Sequence, residues 1–223
     1  MKRNALKFLR LLIPGLILIF EFLPMLKTFN VHYKVGEGWV SYSFLIISAV
    51  VIGTIYHFLD FRFFITNASH KKINLNIVSS LLKIYKKPVS QDEYNYLKDK
   101  RLNHIFYHFI DNDKSLSAKS QLIYFNGLLW TSTADLFILS IFSSIAFLIC
   151  GLCFNSDLIW LSVAYVFIAL LAFCFHASTI NKHLELSNEQ LGYIETHYQS
   201  DLKSKIKASL KQIAKDSVNK NAK

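Results

Sequence analysis

Long uncharged stretches dominate the pattern of hydrophobic and polar positions along this chain. Three of them contain no Asp, Glu, Lys or Arg: residues 39–59, 136–154 and 158–176. Each approaches the ~20 residues that a helix needs to cross the ~30 Å hydrocarbon layer of a bilayer. Residues 8–26 form a fourth apolar stretch, which carries Arg10 near its start and Glu21 inside. Because a long Arg side chain reaches the headgroups, this stretch also predicts a spanning helix.

The polar segment after the second stretch, residues 66–121, is predicted to be helical. One aliphatic stripe recurs there at a spacing of three or four residues: Ile73, Ile77, Leu81 and Ile84. Pro88 stops this helix. Ser90 and Glu93 then form a capping box, which predicts a second helix ending near Ile110.

The carboxyl-terminal segment, residues 178–223, repeats the same start signal. Ser187 and Gln190 match a capping box and predict that a new helix begins there. Lysines surround an apolar stripe further on, formed by Leu202, Ile206, Leu210 and Ile213. Such a cationic amphipathic helix lies on an anionic leaflet, packs in a helical bundle or binds a partner, and the sequence leaves these alternatives open.

The predicted fold class is therefore an all-α integral membrane protein with four transmembrane helices in two hairpins. A three-residue turn at 155–157 makes the last two spans antiparallel neighbours. The sequence divides into a first transmembrane hairpin, a helical cytoplasmic insert, a second transmembrane hairpin and a basic cytoplasmic tail with the amphipathic helix: residues 1–65, 66–121, 122–177 and 178–223.

Composition and charge agree with a membrane location. Hydrophobic residues make up 52% of the 223 positions, and the formal net charge is +10. All but two of the 25 Lys and Arg residues fall on one side if both termini are cytoplasmic, as the positive-inside rule requires. This distribution accounts for the charge without nucleic acid. The abundance of Lys, Asn and Ile is typical of an AT-rich bacterial gene.

Ionisable residues at membrane depth are the first functional candidates. Glu21 lies within the first span, Asp135 opens the third, and His57 and Asp60 lie with Arg62 at the cytoplasmic end of the second. A carboxylate in hydrocarbon costs about 2.5–3.5 kcal/mol unless it is protonated, paired or hydrated. Glu21 is therefore expected to face other helices or a cavity, either as a functional group or as a hydrogen-bonded packing residue.

Small residues follow one another in the third span. This small-residue face consists of Ser140, Ser143, Ser144 and Ala146. Such residues permit close helix contact in membranes, either within one chain or between copies. The expected partners are therefore the lipid bilayer and further copies of this chain in a homo-oligomer.

A histidine-containing helix supplies the candidates for chemistry. His104, His108 and Asp111 share one helical face at a spacing that suits a metal, and an HxxxH pattern resembles the membrane di-iron desaturases. Those enzymes also carry paired HH motifs, which this sequence lacks, so a polar helix face without metal is favoured. Arg101 and His108 resemble the Arg–His pair of HEPN-type ribonucleases, which implies an enzyme alternative in which Arg binds phosphate and His moves a proton.

Cys150 and Cys153 form a CxxC at the predicted outer end of the third span. This pattern resembles the four-span thiol oxidases and quinone reductases, which pass electrons from a second cysteine pair. Only Cys174 remains here, so a structural pair or two buried thiols is favoured. No cofactor and no catalytic residue is assigned.

The layout of two hairpins, capped insert and basic tail resembles the small multi-pass membrane effectors of bacterial anti-phage systems, of the retron- or CRISPR-associated type. The resemblance implies a non-enzymatic oligomer of the bacterial inner membrane that alters membrane permeability when a cytoplasmic signal or partner engages its insert and tail. Arg101, His104, His108 and Asp111 are the candidates for receiving that signal, which would be a protein, nucleotide or nucleic-acid trigger. The alternative from another class is a passive immunity, assembly or transport-accessory protein.

Overall fold

The computed structural model describes residues 3–28 and 39–221, and within these ranges the chain is helical without a strand. Helix accounts for 93% of the structure. The eight α-helices of the described chain, with one π-helical turn at Leu97–Arg101 between α4 and α5, are α1 (Arg3–Thr28), α2 (Trp39–Leu59), α3 (Phe63–Tyr85), α4 (Gln91–Tyr96), α5 (Leu102–Asn112), α6 (Lys114–Cys153), α7 (Asp157–His197) and α8 (Gln199–Asn221). The predicted all-α class is confirmed.

Four of these helices are long and apolar enough to cross a membrane, which makes this a multi-pass membrane protein by helix length and composition. They are Asn4–Leu26 within α1, and the whole of α2, α6 and α7. The four apolar stretches of the sequence thus coincide with four helices. Most of the predicted first outer loop, residues 27–38, lies outside the described residues.

The chain packs as two compact units. One unit contains Met1–Ala68 and Tyr124–Ile180, and the other contains Ser69–Ile123 and Asn181–Lys223. We call them the apolar unit and the polar unit. Helices α6 and α7 have 40 and 41 residues and run unbroken through positions 121 and 177, where the sequence analysis placed segment borders. At ~1.5 Å per residue each is about 60 Å long, roughly twice the thickness of the hydrocarbon layer.

Within the apolar unit, α1 and α2 approach each other through glycine. A Cβ built on Gly15 would overlap the backbone carbonyl of Ala49, and one built on Gly53 would overlap the carbonyl of Leu11. Side-chain-free positions therefore set the distance between these two helices, as small residues do at many membrane helix contacts.

Helices α6 and α7 pair along the apolar unit with opposite chain directions. The Ser144 and Ser162 hydroxyls are 3.0 Å apart, and the ring of Phe137 lies against Phe173. Further from the connecting turn, the Asn126 amide donates to the Thr179 carbonyl at 2.9 Å. Residue numbers thus rise on one helix as they fall on the other, which is the antiparallel arrangement that a short turn imposes.

The polar unit has an apolar core of its own. The predicted stripe of α3 is buried at all four positions: Ile73, Ile77, Leu81 and Ile84. Helix α5 buries Phe106 and Phe109, and α8 buries Leu202 and Ile206 completely. The amphipathic α8 therefore packs in a helical bundle through these two residues; Ile213 of its stripe lies outside the described side chains. The capping box of Ser90 and Glu93 is present at the start of α4, as predicted.

The second predicted capping box is wrong. Ser187 and Gln190 lie in the middle of α7, which continues to His197, so no helix begins there. Both residues are buried, and the Gln190 Nε2 donates to the Ser120 Oγ at 2.9 Å. A polar pair with cap-like spacing is here a buried contact between two long helices.

In the polar unit, a hydrogen bond joins the boundary between α5 and α6 to the boundary between α7 and α8. The Tyr198 hydroxyl donates to Asp113 Oδ2 at 2.6 Å, and Asp113 Oδ1 accepts from the Leu116 backbone N–H at the start of α6. The bond to Tyr198 lowers the pKa of Asp113 below its ordinary value and raises the pKa of Tyr198. Ionised Asp113 and protonated Tyr198 are therefore the forms that the fold stabilises.

Replacing Tyr198 by Phe should remove part of the acid sensitivity of the protein. Because the pKa of Asp113 is lowered in the folded state, its contribution to stability is present above about pH 3.9 and is lost as the pH falls through the lowered value. Thermal unfolding followed by circular dichroism between pH 3 and 7 should show a smaller acid loss for Tyr198→Phe than for wild type. Tyr94→Phe, a control in α4, should keep the wild-type profile; equal profiles for all three proteins would contradict this assignment.

Candidate functional site

Glu21 is the central residue of a buried polar contact between α1 and α6. Its carboxylate accepts hydrogen bonds from the Ser140 hydroxyl at 2.9 Å and from the Ser143 hydroxyl at 2.6 Å. Ser140 and Ser143 are one helical turn apart, so both hydroxyls reach one carboxylate, each at its own oxygen. Glu21 is only 5% exposed. The carboxylate is thus held between helices, as expected for an acidic residue at membrane depth.

Helix α7 completes this contact through Tyr165. Its hydroxyl donates to the backbone carbonyl of Glu21 at 3.1 Å. The ring of Tyr165 stacks on Phe147 of α6 with centroids 5.3 Å apart, which fixes the direction of the hydroxyl. We call Glu21, Ser140, Ser143 and Tyr165 the Glu21 site; three helices contribute to it, so a relative movement of any of them changes its geometry.

A second polar cluster surrounds Asp135, which is 1% exposed. The Tyr56 hydroxyl of α2 donates to Asp135 Oδ1 at 3.1 Å. Arg62 Nε lies 3.3 Å from the same oxygen, but its N–H is not aligned for a hydrogen bond, so the contact is an ion pair. We call these three residues the Asp135 site. The Arg62 side chain is also buried, so both charges are largely removed from solvent.

The turn between α2 and α3 separates Arg62 from the other polar residues predicted beside it. Asp60 adopts a left-handed backbone with φ 48°, which Asp tolerates better than most residues. Asp60 and His57 are exposed, whereas Arg62 turns into the unit towards Asp135. Of the membrane-depth candidates, the structure therefore engages Glu21 and Asp135 in buried contacts and leaves His57 and Asp60 at the surface.

The candidates of the polar unit are all at its surface. Four exposed residues belong to this set: Arg101, His104, His108 and Asp111. The Arg101 guanidinium lies over the ring of Tyr96 at 5.2 Å, and the Asn112 amide lies 3.1 Å from His108 Nδ1. Among the residues that the structure describes, no group of three His, Cys, Asp or Glu side chains is placed to hold a metal. Cys150, Cys153 and Cys174 are free thiols; Cys150 is only partly buried and Cys153 is exposed, so the expectation of a structural pair or of two buried thiols is wrong.

The sequence indicates Glu21 and Asp135 as candidates, but it does not indicate which residues contact them. Tyr56, Arg62 and Tyr165 contact the two carboxyl-bearing residues from helices or turns distant in sequence. Ser140 and Ser143 were noted only as small residues. Their spacing of three, opposite an intramembrane Glu, is the signal that would have indicated a shared hydrogen-bond partner.

Comparisons of the chain with protein-family models, with curated proteins and with solved structures gave no match.

Proposed function

We propose that this protein is an oligomeric effector of the bacterial inner membrane that alters membrane permeability when a cytoplasmic signal or partner engages the polar unit, in defence against phage. The observation that carries the proposal is the Glu21 site, in which a buried carboxylate is held by two serine hydroxyls of a neighbouring helix. Intramembrane ionisable residues commonly mark ion pathways. The contact represents the closed state, and its rupture exposes the carboxylate to a water-filled path.

Two long helices belong both to the polar unit, which we propose receives the signal, and to the apolar unit, which contains the Glu21 site. Helix α6 carries Ser140 and Ser143, α7 carries Tyr165, and each helix extends without interruption into the polar unit. A partner that displaces these helices in the polar unit acts on the groups that hold Glu21. The charge pattern supports a cytoplasmic polar unit with both termini on that side and the spans arranged as two hairpins. A carboxyl-terminal reporter that is active only in the cytoplasm checks this topology.

The surface of the apolar unit supports both a lipid environment and self-association. Large apolar side chains are exposed along α2, α6 and α7, among them Phe44, Ile47, Phe142, Ile149 and Phe167. In a bilayer these side chains contact lipid or a second copy. An oligomer supplies the additional helices that are needed to enclose a path beside Glu21.

Membrane-potential measurements in bacteria that express the protein test this proposal. Releasing Glu21 with the double variant Ser140→Ala/Ser143→Ala should depolarise the cells on induction more than wild type does. Glu21→Leu should leave the potential unchanged even under phage infection, because the charged group is absent. Ser43→Ala, whose exposed hydroxyl bonds to the Trp39 carbonyl of its own helix, is the matched control and should behave as wild type.

The proposal fails if wild type and every variant leave the potential unchanged under all conditions, phage infection included. A passive accessory role is then favoured, and one feature supports it. An apolar groove of about 390 Å³ between α1 and α2, lined by Phe22 and Leu45 among others, suits the helix of another membrane protein. Stoichiometric purification with a larger channel or transporter would indicate that role, whereas a homo-oligomer alone agrees with the effector.

A further inference from the structure

A cleft of about 630 Å³ lies within the polar unit and has no part in the contacts described above. Two helical faces form its walls: Lys71, Asn74, Leu75 and Val78 on α3, and Asn95, Lys98, Asp99 and Asn103 on the segment from α4 to α5. The spacing of three or four residues within each set places its members on one face. This volume is within the range of small-molecule sites, about 300–1,000 Å³.

A π-helical turn at Leu97–Arg101 lies in the second wall of the cleft. Leu97 and Leu102 are both completely buried, yet side chains five residues apart stand about 140° apart on a regular α-helix. In the π-helical turn the Leu102 N–H bonds to the Leu97 carbonyl, and the wider winding brings both leucines to the core. Lys98 and Asp99 between them then face the cleft. Such turns interrupt helices frequently at functional sites.

The residues that line the cleft determine which kind of ligand it can bind. Lys71 and Lys98 are exposed cations that suit a phosphate group, while Asp99 accepts hydrogen bonds from hydroxyl or amino groups. Three asparagines provide both donors and acceptors, and Leu75 with Val78 adds apolar area for a ring.

From this lining we infer that the cleft binds a phosphorylated small molecule of mononucleotide size. Lys71 and Lys98 hold the phosphate from opposite walls, and the asparagines contact the polar edges of the organic part. Binding joins α3 to the segment from α4 to α5. That the bound molecule is the signal for a change of permeability rests on the proposed function; binding itself does not.

Fluorescence or calorimetric titration of the full chain, purified in mild detergent, tests the inference. The probes are the four ribonucleoside monophosphates, with adenosine as the phosphate-free control and inorganic phosphate as a competitor. We expect at least one nucleotide to bind, adenosine to bind at least tenfold more weakly than its monophosphate, and inorganic phosphate to displace the nucleotide only in excess. Lys71→Ala and Lys98→Ala should each raise Kd about tenfold or more, the loss of one charge-assisted contact.

Lys207→Ala, an exposed lysine of α8 in the same unit, is the matched control and should change Kd less than twofold. The altered side chains are all exposed, so the helical content should stay unchanged in circular dichroism. Failure of every nucleotide to bind, or an equal loss in the control variant, would overturn the inference. Nucleotide binding without any change in membrane potential would show that the nucleotide is not the signal for permeability, and it would leave the binding site intact.

Discussion

Replacing Gly53 by Leu is expected to prevent the packing of α2 on α1 and to destabilise the apolar unit by at least about 3 kcal/mol. A Cβ at this position overlaps the Leu11 backbone carbonyl, and Gly15 lies beside the same contact. Backbone cannot move aside as a flexible side chain does, so the two helices must separate along their contact. Unfolding of the purified protein in mixed detergent micelles, followed by circular dichroism, measures the loss.

Gly192 provides the matched control because a Cβ built there meets no atom of the described residues within 4 Å. Gly192→Ala should be neutral or should stabilise α7 by about 0.5–1 kcal/mol, since Ala loses less backbone freedom than Gly in a helix. If Gly53→Leu unfolds at the same detergent composition as Gly192→Ala, the close approach of α1 and α2 is incorrect.

Breaking the Asp135 site should have a comparable effect. Arg62→Met leaves a buried carboxylate without its cation, and Asp135→Leu leaves a buried guanidinium without its anion. Removal of one partner of a buried pair costs about 3–5 kcal/mol, whereas an apolar pair of similar size is often tolerated. The double variant Arg62→Met/Asp135→Leu should therefore be more stable than either single variant. Equilibrium unfolding of the four proteins gives the coupling free energy directly.

An exposed ion pair supplies the comparison for this cycle. Lys182 and Glu185 approach to 2.9 Å with both side chains more than half exposed, so Lys182→Ala should change stability by less than about 1 kcal/mol. Single losses at Arg62 and Asp135 that simply add in the double variant would show that the two charges do not stabilise each other.

The burial of Glu21 and Asp135 against other helices could be predicted from the sequence, because an unpaired carboxylate in the membrane is energetically unfavourable. A carboxylate at membrane depth must find a partner, so burial against other helices follows from its position alone. The identity of the residues that contact it does not follow from its position in the sequence. Ser140 and Ser143 are 119 and 122 residues away in sequence, and hydroxyls in a helix can also bond to a carbonyl of the preceding turn, as the Ser120 hydroxyl does to Leu116.

The two predicted capping boxes show why a short sequence pattern alone does not determine where a helix begins. Ser90 follows Pro88, which has already ended α3, so the chain there needs a new helix start. Ser187 lies among residues that continue a helix without interruption, and Gln190 finds a buried partner in Ser120. The same spacing therefore forms a capping box where the preceding helix has ended. Where the helix continues, it forms a contact with a neighbouring helix.

The cleft could not be anticipated from periodicity, because it lies between two helical faces that are separated in sequence, and periodicity does not show which faces oppose each other. The predicted signal residues Arg101, His104, His108 and Asp111 are not among the residues that line it. They remain candidates for a protein partner, since they form an exposed part of the same unit.

Cation flux across liposomes that contain only the purified protein tests the central claim most directly. The Ser140→Ala/Ser143→Ala variant should leak ions without any trigger, at least about tenfold faster than wild type, because Glu21 is no longer held. Adding Glu21→Leu to that variant should return the flux to the wild-type rate, since the released carboxylate is required. Equal flux from the double and triple variants, whether high or absent, would contradict the assignment of Glu21 as the group that controls permeability.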